Sequence, residues 1–220
     1  MTSKPEYTRF LPHFHPQGAI FFVTFRLYGS LPREFAKSLH DWHCKELELL
    51  PKKYPPELLD QAKYLHQRDY FLRVEEVLDK ANHGPKHLIN PKIANCLTTY
   101  LREFDGIWYD LLGYTLMANH VHLLMDFSVQ FDEFEILKKP PYRNLDYVMF
   151  RIKGASARKA NQILGRKNVH FWQPEYHNRY IRNRQHLFSA LNYIKQNPVK
   201  AGIVNHWKAH PFTWIHEAFW

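Results

Sequence analysis

The chain has 220 residues, 45% of them apolar and 23% charged, with a formal net charge of +9. This length and balance suit one folded domain of medium size, spanning 1–220, and exclude a disordered tail. No apolar run approaches the roughly 20 residues of a membrane helix, two cysteines (Cys44 and Cys96) cannot make a disulfide framework, and the eight glycines form no GxGxxG or P-loop pattern. A protein of a reducing cytoplasm is expected.

Gly18–Tyr28, GAIFFVTFRLY, is β-branched and aromatic, and Leu31-Pro32 ends it, so a buried strand is expected. Arg33–Leu50 has helical spacing and good helix formers. Pro51–Pro56 breaks that pattern, and a polar stretch follows through Asp79. Pro91–Phe104 reads as a helix with Ile93, Cys96, Leu97, Tyr100 and Leu101 along one stripe. Trp108–Phe127 reads as two strands turning at Met117-Ala118-Asn119, and Phe127–Pro141 as a loop.

Leu145–Leu164 follows as a helix able to turn Tyr147, Val148, Ile152, Ala155 and Ile163 to a sheet, with Arg151, Lys153, Arg158 and Lys159 on its other faces. Phe171–Ile181 alternates aromatic and polar residues like a strand. Gln185–Asn197 is a helix with Leu187, Leu191 and Ile194 on its buried side, and Pro198 should end it. Strands that alternate with helices, except for the adjacent pair at 108–127, indicate an antiparallel sheet with helices against it.

The positive charge is concentrated. Residues 142–204 carry twelve basic and two acidic side chains, which accounts for the whole excess. A clustered positive field points to nucleic acid, through counterion release at phosphates. Thirty-five aromatics favour single strands, whose bases can stack on rings, although most of these rings must be core.

The sharpest chemical feature is Asn119-His120-Val121-His122, which opens an apolar strand. Strand side chains alternate faces, so His120 and His122 point the same way, about 7 Å apart along the backbone. Both imidazoles can therefore reach one divalent ion. With fifteen histidines in the chain, a bare HxH is more often a pair of ordinary histidines; a second one, His13-Phe14-His15, sits between Pro12 and Pro16 in irregular backbone.

The second feature is Tyr193-Ile194-Lys195-Gln196-Asn197-Pro198. Tyr193 and Asn197 are i, i+4 and share a helix face. They read either as a core-edge tyrosine with an Asn cap, or as a phenolate nucleophile beside a carboxamide oxygen that completes a metal site. Lys195, Lys200, Arg179 and Arg182 are near in sequence and could hold phosphates. Two imidazoles and an amide oxygen suit Mn2+ as well as Mg2+.

In this order the features resemble the HUH-type single-strand transposases, and most closely the REP-associated tyrosine transposases of bacteria. The matching stretches are GAIFFVTFRLYGSLP (18–32), GPKHLINPKIA (84–94), YTLMANHVHLLM (114–125), FWQPEYHNRYIRN (171–183) and YIKQNPVKAGIV (193–204). The resemblance implies an α+β, ferredoxin-like domain with a central antiparallel sheet. It implies His120 and His122 as metal ligands, Asn197 as a third, and Tyr193 as the nucleophile of a 5′-phosphotyrosine bond.

Family members cut single-stranded DNA beside hairpins of repetitive extragenic palindromes, and some relatives form dimers that share the tyrosine helix. Their N-terminal segment helps to read DNA, which gives Arg9, His13 and His15 a contact role beside Arg151, Lys153, Arg158, Lys159, Arg179, Arg182 and Lys195. The terminal segments would then be DNA-contact extensions of a nucleoid-associated enzyme. The family commonly has Pro where this chain has Ala118, and an Asp near Asn178. The alternative is a hairpin-binding protein of the same fold without catalysis.

Overall fold

The computed structural model describes residues 6–8, 12–80 and 83–220, without the side chains of 6–8 and 12–14. Arg9 lies outside the described residues, as does the side chain of His13. The chain divides into two units, Met1–Tyr28 with His87–Trp220, and Gly29–Lys86.

In the larger unit, β1 (Glu6–Thr8) pairs antiparallel with β2 (Pro12–Phe14). The main sheet contains β3 (Ile20–Arg26), β4 (Asp110–Leu116), β5 (His120–Asp126), β6 (His177–Tyr180) and β7 (Thr213–Ile215), in the order β6-β3-β5-β4-β7, antiparallel throughout. Helix α3 (Pro91–Arg102) runs between β3 and β4, and helix α4 (Leu145–Ile163) between β5 and β6. This β-α-β-β-α-β path with its first strand beside its third is the ferredoxin-like arrangement, as expected. Helix α5 (Arg184–Lys200) and the edge strand β7 follow it.

Alternation assigns the two faces of the sheet. Phe21, Val23 and Phe25 of β3, with Val121, Leu123 and Met125 of β5, enter one core with Leu97 and Leu101 of α3 and Val148 and Ile152 of α4. The other face carries Phe22, Thr24, His120 and His122, and α5 packs against β4, β5 and β7. Asn90, Asn144 and Asn183 cap α3, α4 and α5 by accepting backbone N–H bonds of 2.8–3.0 Å.

Several elements differ from expectation. The expected strand at 171–181 is regular only over His177–Tyr180, with one bridge from Trp172 to Leu27, because Pro174 cannot donate to a ladder. The buried stripe of α4 is Leu145, Val148, Met149, Ile152, Ser156 and Ala160, whereas Tyr147, Ala155 and Ile163 lie at its margin. Helix α5 does not stop at Asn197: Pro198 sits in its last turn, where the missing donor costs little, and Ala201 N–H closes on Asn197 O at 3.0 Å. Its buried side is Ala190, Leu191, Ile194, Asn197 and Pro198, with Leu187 half-buried.

The smaller unit is a helical hairpin. Helix α1 runs over Arg33–Lys53, through Pro51 in its last turn, and α2 over Pro56–Lys80 replaces the expected polar stretch. Leu31, Leu39, Val74 and Leu78 form its core. The rest of the seam is made of rings that a count of apolar residues overlooks. His43 stacks on His66 with 4.8 Å between centroids, and Trp42 and Tyr70 flank the pair at 4.7 and 4.6 Å. None of the described helices is long and apolar enough to cross a membrane.

Candidate metal centre and tyrosine

The adjacent strands β3 and β5 set the site. In their register Thr24 stands opposite His122 and Arg26 opposite His120. Hairpin strands of seven residues, paired on both sides, hold the two histidines rigidly, and both are fully buried. Their side chains converge: His120 Nε2 lies 3.1 Å from His122 Nε2. The Nδ1 atoms turn outward, that of His120 to Asn119 Oδ1 at 2.7 Å and that of His122 to Thr24 Oγ1 at 2.8 Å.

Helix α5 brings the remaining groups. Asn197, 3% exposed, places its carboxamide nitrogen 3.1 Å from His122 Nε2, across 75 positions of sequence. Its Oδ1 is buried without a hydrogen-bond partner among the described residues. The half-buried ring of Tyr193, one turn earlier, lies edge-on to His122 with 5.1 Å between centroids and an interplanar angle of 84°. Phe22 completes the arrangement, stacked on His122 at 5.6 Å and edge-on to Tyr193 at 5.7 Å. The nearest members of the two sequence motifs therefore share one patch of the α5-facing side of the sheet.

These residues fit a divalent ion. Two ligands at right angles, each about 2.1 Å from one ion, are about 3.0 Å apart, close to the 3.1 Å observed between the two Nε2 atoms. The orphaned Asn197 oxygen is a hard donor suited to such an ion, and rotating the amide exchanges it with the nitrogen. His120, His122 and Asn197 could thus hold the metal together.

The basic residues are dispersed. Arg179 of β6 stands opposite Phe22, on the histidine face, and donates to His186 Nε2 at 3.1 Å. Burial, then the charges of Arg179 and Arg182, keep the His186 pKa below its usual value, which suits an accepting ring. Arg182 and Lys200 are exposed. Lys195 Nζ donates to Phe219 O at 2.9 Å and stands 5.4 Å from the centre of the Trp207 ring.

Arg151, Arg158 and Lys159 are exposed on α4, the helix that packs on the opposite face of the sheet from His122. On the same helix, Lys153 donates to Gln173 O and Pro174 O at 2.8 and 2.6 Å. His15 is buried, with Nε2 2.9 Å from Asn178 Nδ2 and Nδ1 3.3 Å from Asp146 Oδ2.

Thr24 and Phe22 are site residues that the sequence reading passed over, and Asn119, read as part of the turn and the histidine motif, had no role of its own there. Thr24 carried a signal, being the lone hydroxyl in the apolar run IFFVTF. Phe22 carried none, since any buried strand offers a phenylalanine.

No protein-family model matches the sequence. The sequence is similar to a Haemophilus influenzae protein named "Putative REP-associated tyrosine transposase", at 24% identity over 138 residues, covering 59% of this chain and 77% of the relative. Among solved structures, the chain aligns with a REP-associated tyrosine transposase bound to a REP hairpin, at a TM-score of 0.49 and 16% identity, over 94% of this chain and 81% of that one. By its motifs and by its curated relative, the chain is similar to the REP-associated tyrosine transposases.

Proposed function

We propose that this chain is a DNA transposase and single-strand endonuclease that cleaves and rejoins DNA beside hairpins of REP-type palindromes. Tyr193 is its nucleophile, and His120, His122 and Asn197 hold Mg2+ or Mn2+. The observation that carries the reading is the edge-on contact between Tyr193 and His122 within a single chain. The contact supports a site assembled without a second subunit. The name of the curated relative supports the choice of DNA element.

A tyrosine hydroxyl, pKa about 10 unperturbed, attacks only after it gives up its proton. Its oxygen then bonds to the phosphorus of the scissile phosphodiester. The bond from phosphorus to the 3′ oxygen breaks, and that oxygen leaves as a 3′-hydroxyl once protonated. The phosphate remains esterified to Tyr193, so a free 3′-hydroxyl can run the exchange backwards and rejoin strands. A bound divalent ion would withdraw charge from a nonbridging phosphate oxygen during the attack. Phe22 and His122 restrain the Tyr193 ring, which lowers the entropy lost on orienting it. Arg179 and Arg182 are suited to charge-assisted bonds with flanking phosphates.

Incubation with labelled hairpin DNA and Mn2+ tests the reading. An SDS-resistant protein–DNA adduct is expected from the wild type and none from Tyr193→Phe. Tight hairpin binding without any adduct would make the chain a binding protein instead. Hydrolysis that survives Tyr193→Phe would make it a metallohydrolase.

A further inference from the structure

Each imidazole of the pair is anchored at Nδ1 by a partner of different chemistry. Asn119 Oδ1, 2.7 Å from His120 Nδ1, is a carboxamide oxygen and can only accept. The hydrogen on this contact therefore belongs to His120 Nδ1, and the neutral ring carries its lone pair at Nε2. Isolated imidazoles have no such constraint, because either nitrogen can hold the proton. Asn119 is fully buried and leaves its own Nδ2 without a partner among the described residues, so its side chain is held by the bond to His120.

Thr24 Oγ1, 2.8 Å from His122 Nδ1, is a hydroxyl that both donates and accepts. It can serve His122 in either tautomer by rotating its hydrogen. As an acceptor it leaves the His122 lone pair at Nε2, facing the Nε2 of His120 at 3.1 Å. As a donor it leaves the hydrogen on His122 Nε2, which can then bond to the His120 Nε2 lone pair once the Asn197 amide turns its oxygen toward that ring.

We infer that Asn119 and Thr24 are positioning residues for the metal pair. Asn119 locks His120 with its ligating lone pair at Nε2, and Thr24 lets His122 exchange between a hydrogen-bonded and a ligating tautomer. The inference rests on the metal reading above. It assigns the two strands separate tasks: β5 and its turn supply a preset ligand, and β3 supplies the hydroxyl that follows the second ligand as it changes state. Partners of this kind orient a metal-binding imidazole and raise its basicity.

Two measurements on the whole chain test this. Long-range proton–nitrogen NMR of metal-free protein reads which ring nitrogen carries the hydrogen. His120 is expected as the Nδ1–H form in the wild type, and in Asn119→Ala it should revert toward the Nε2–H form. Titration calorimetry with Mn2+ alone should show affinity falling about 10- to 100-fold in Thr24→Val and in Asn119→Ala. Thr24→Ser should restore wild-type affinity, a rescue that mere packing would not produce, since serine lacks the methyl group. Thr24→Val is nearly isosteric in a buried strand, so it remains informative if Asn119→Ala does not fold.

A wild-type His120 found as the Nε2–H form overturns the inference, and so does Mn2+ affinity unchanged in Thr24→Val. If the wild type binds no Mn2+ that His120→Ala or His122→Ala abolishes, the metal reading itself has failed, whatever the tautomers show.

Discussion

The Tyr193 ring stands at 84° to the His122 ring, its centroid 5.1 Å away, and Phe22 touches both. The nucleophile candidate is thereby part of the packing around the histidine pair, and the two roles can be separated by substitution. Tyr193→Phe keeps the ring and its contacts with Phe22 and His122, and should remove adduct formation at a smaller cost in stability than Tyr193→Ala. Tyr193→Ala removes the contact with Phe22 and His122 as well, and should lower stability by about 1–3 kcal/mol, less than a fully buried aromatic costs. Denaturant unfolding of the two variants checks the split.

His120 and His122 should both be needed for cleavage, and both are fully buried. His122 is stacked on Phe22 and bonded to Thr24 and Asn197, His120 bonds to Asn119, and the two rings bond to each other. Either substitution to Ala should therefore cost stability, about 1–3 kcal/mol for each buried partner left without a bond. Hairpin affinity should stay close to wild type in both variants, because phosphate contacts supply most of it. Gel-shift titration beside the cleavage assay compares the two effects. Cleavage by His120→Ala at the wild-type rate would contradict the site.

Arg158 and Lys159 project from α4, with the sheet between that helix and His122. If they hold DNA, they do so away from the scissile phosphate. Neutralising both should weaken binding and reduce the salt slope by about 1 for each lost phosphate contact, with the cleavage rate of the bound complex unchanged. An unaltered slope would remove them from the DNA footprint.

The helical hairpin should be sensitive to acid. Burial, then the nearby charges of His66 and His40, lower the His43 pKa from 6.5 to about 4, and burial also lowers that of His66. His66 Nε2 lies 2.9 Å from His43 Nδ1, so the neutral pair shares one hydrogen. A ring with a depressed folded pKa resists the proton that the unfolded chain takes up. Its contribution to stability is fully present above about 6.5 and should decline as pH falls toward 4. Glu46, Asp69 and Arg73 also act on His66 and do not reverse the direction. Trp42, 4.7 Å from His66, supplies a fluorescence signal for melts at pH 7.5 and pH 4.5. An equal midpoint at both values would count against the assignment.

Periodicity and residue order were enough to recover β3, α1, α3, the β4–β5 hairpin, α4 and α5, because each buries one face at a spacing visible in a short window. They also singled out His120, His122, Tyr193 and Asn197, since rigid elements fix which side chains share a face. Helix α2 was not legible: its seam uses His66 and Tyr70 against His43 and Trp42, and such residues look solvated until a partner helix covers them. Tertiary structure alone decided that the motif on β5 meets the motif on α5, with 75 positions between His122 and Asn197. It also decided that Thr24 lies opposite His122, because strand pairing is a non-local choice of register that no short stretch of either strand contains.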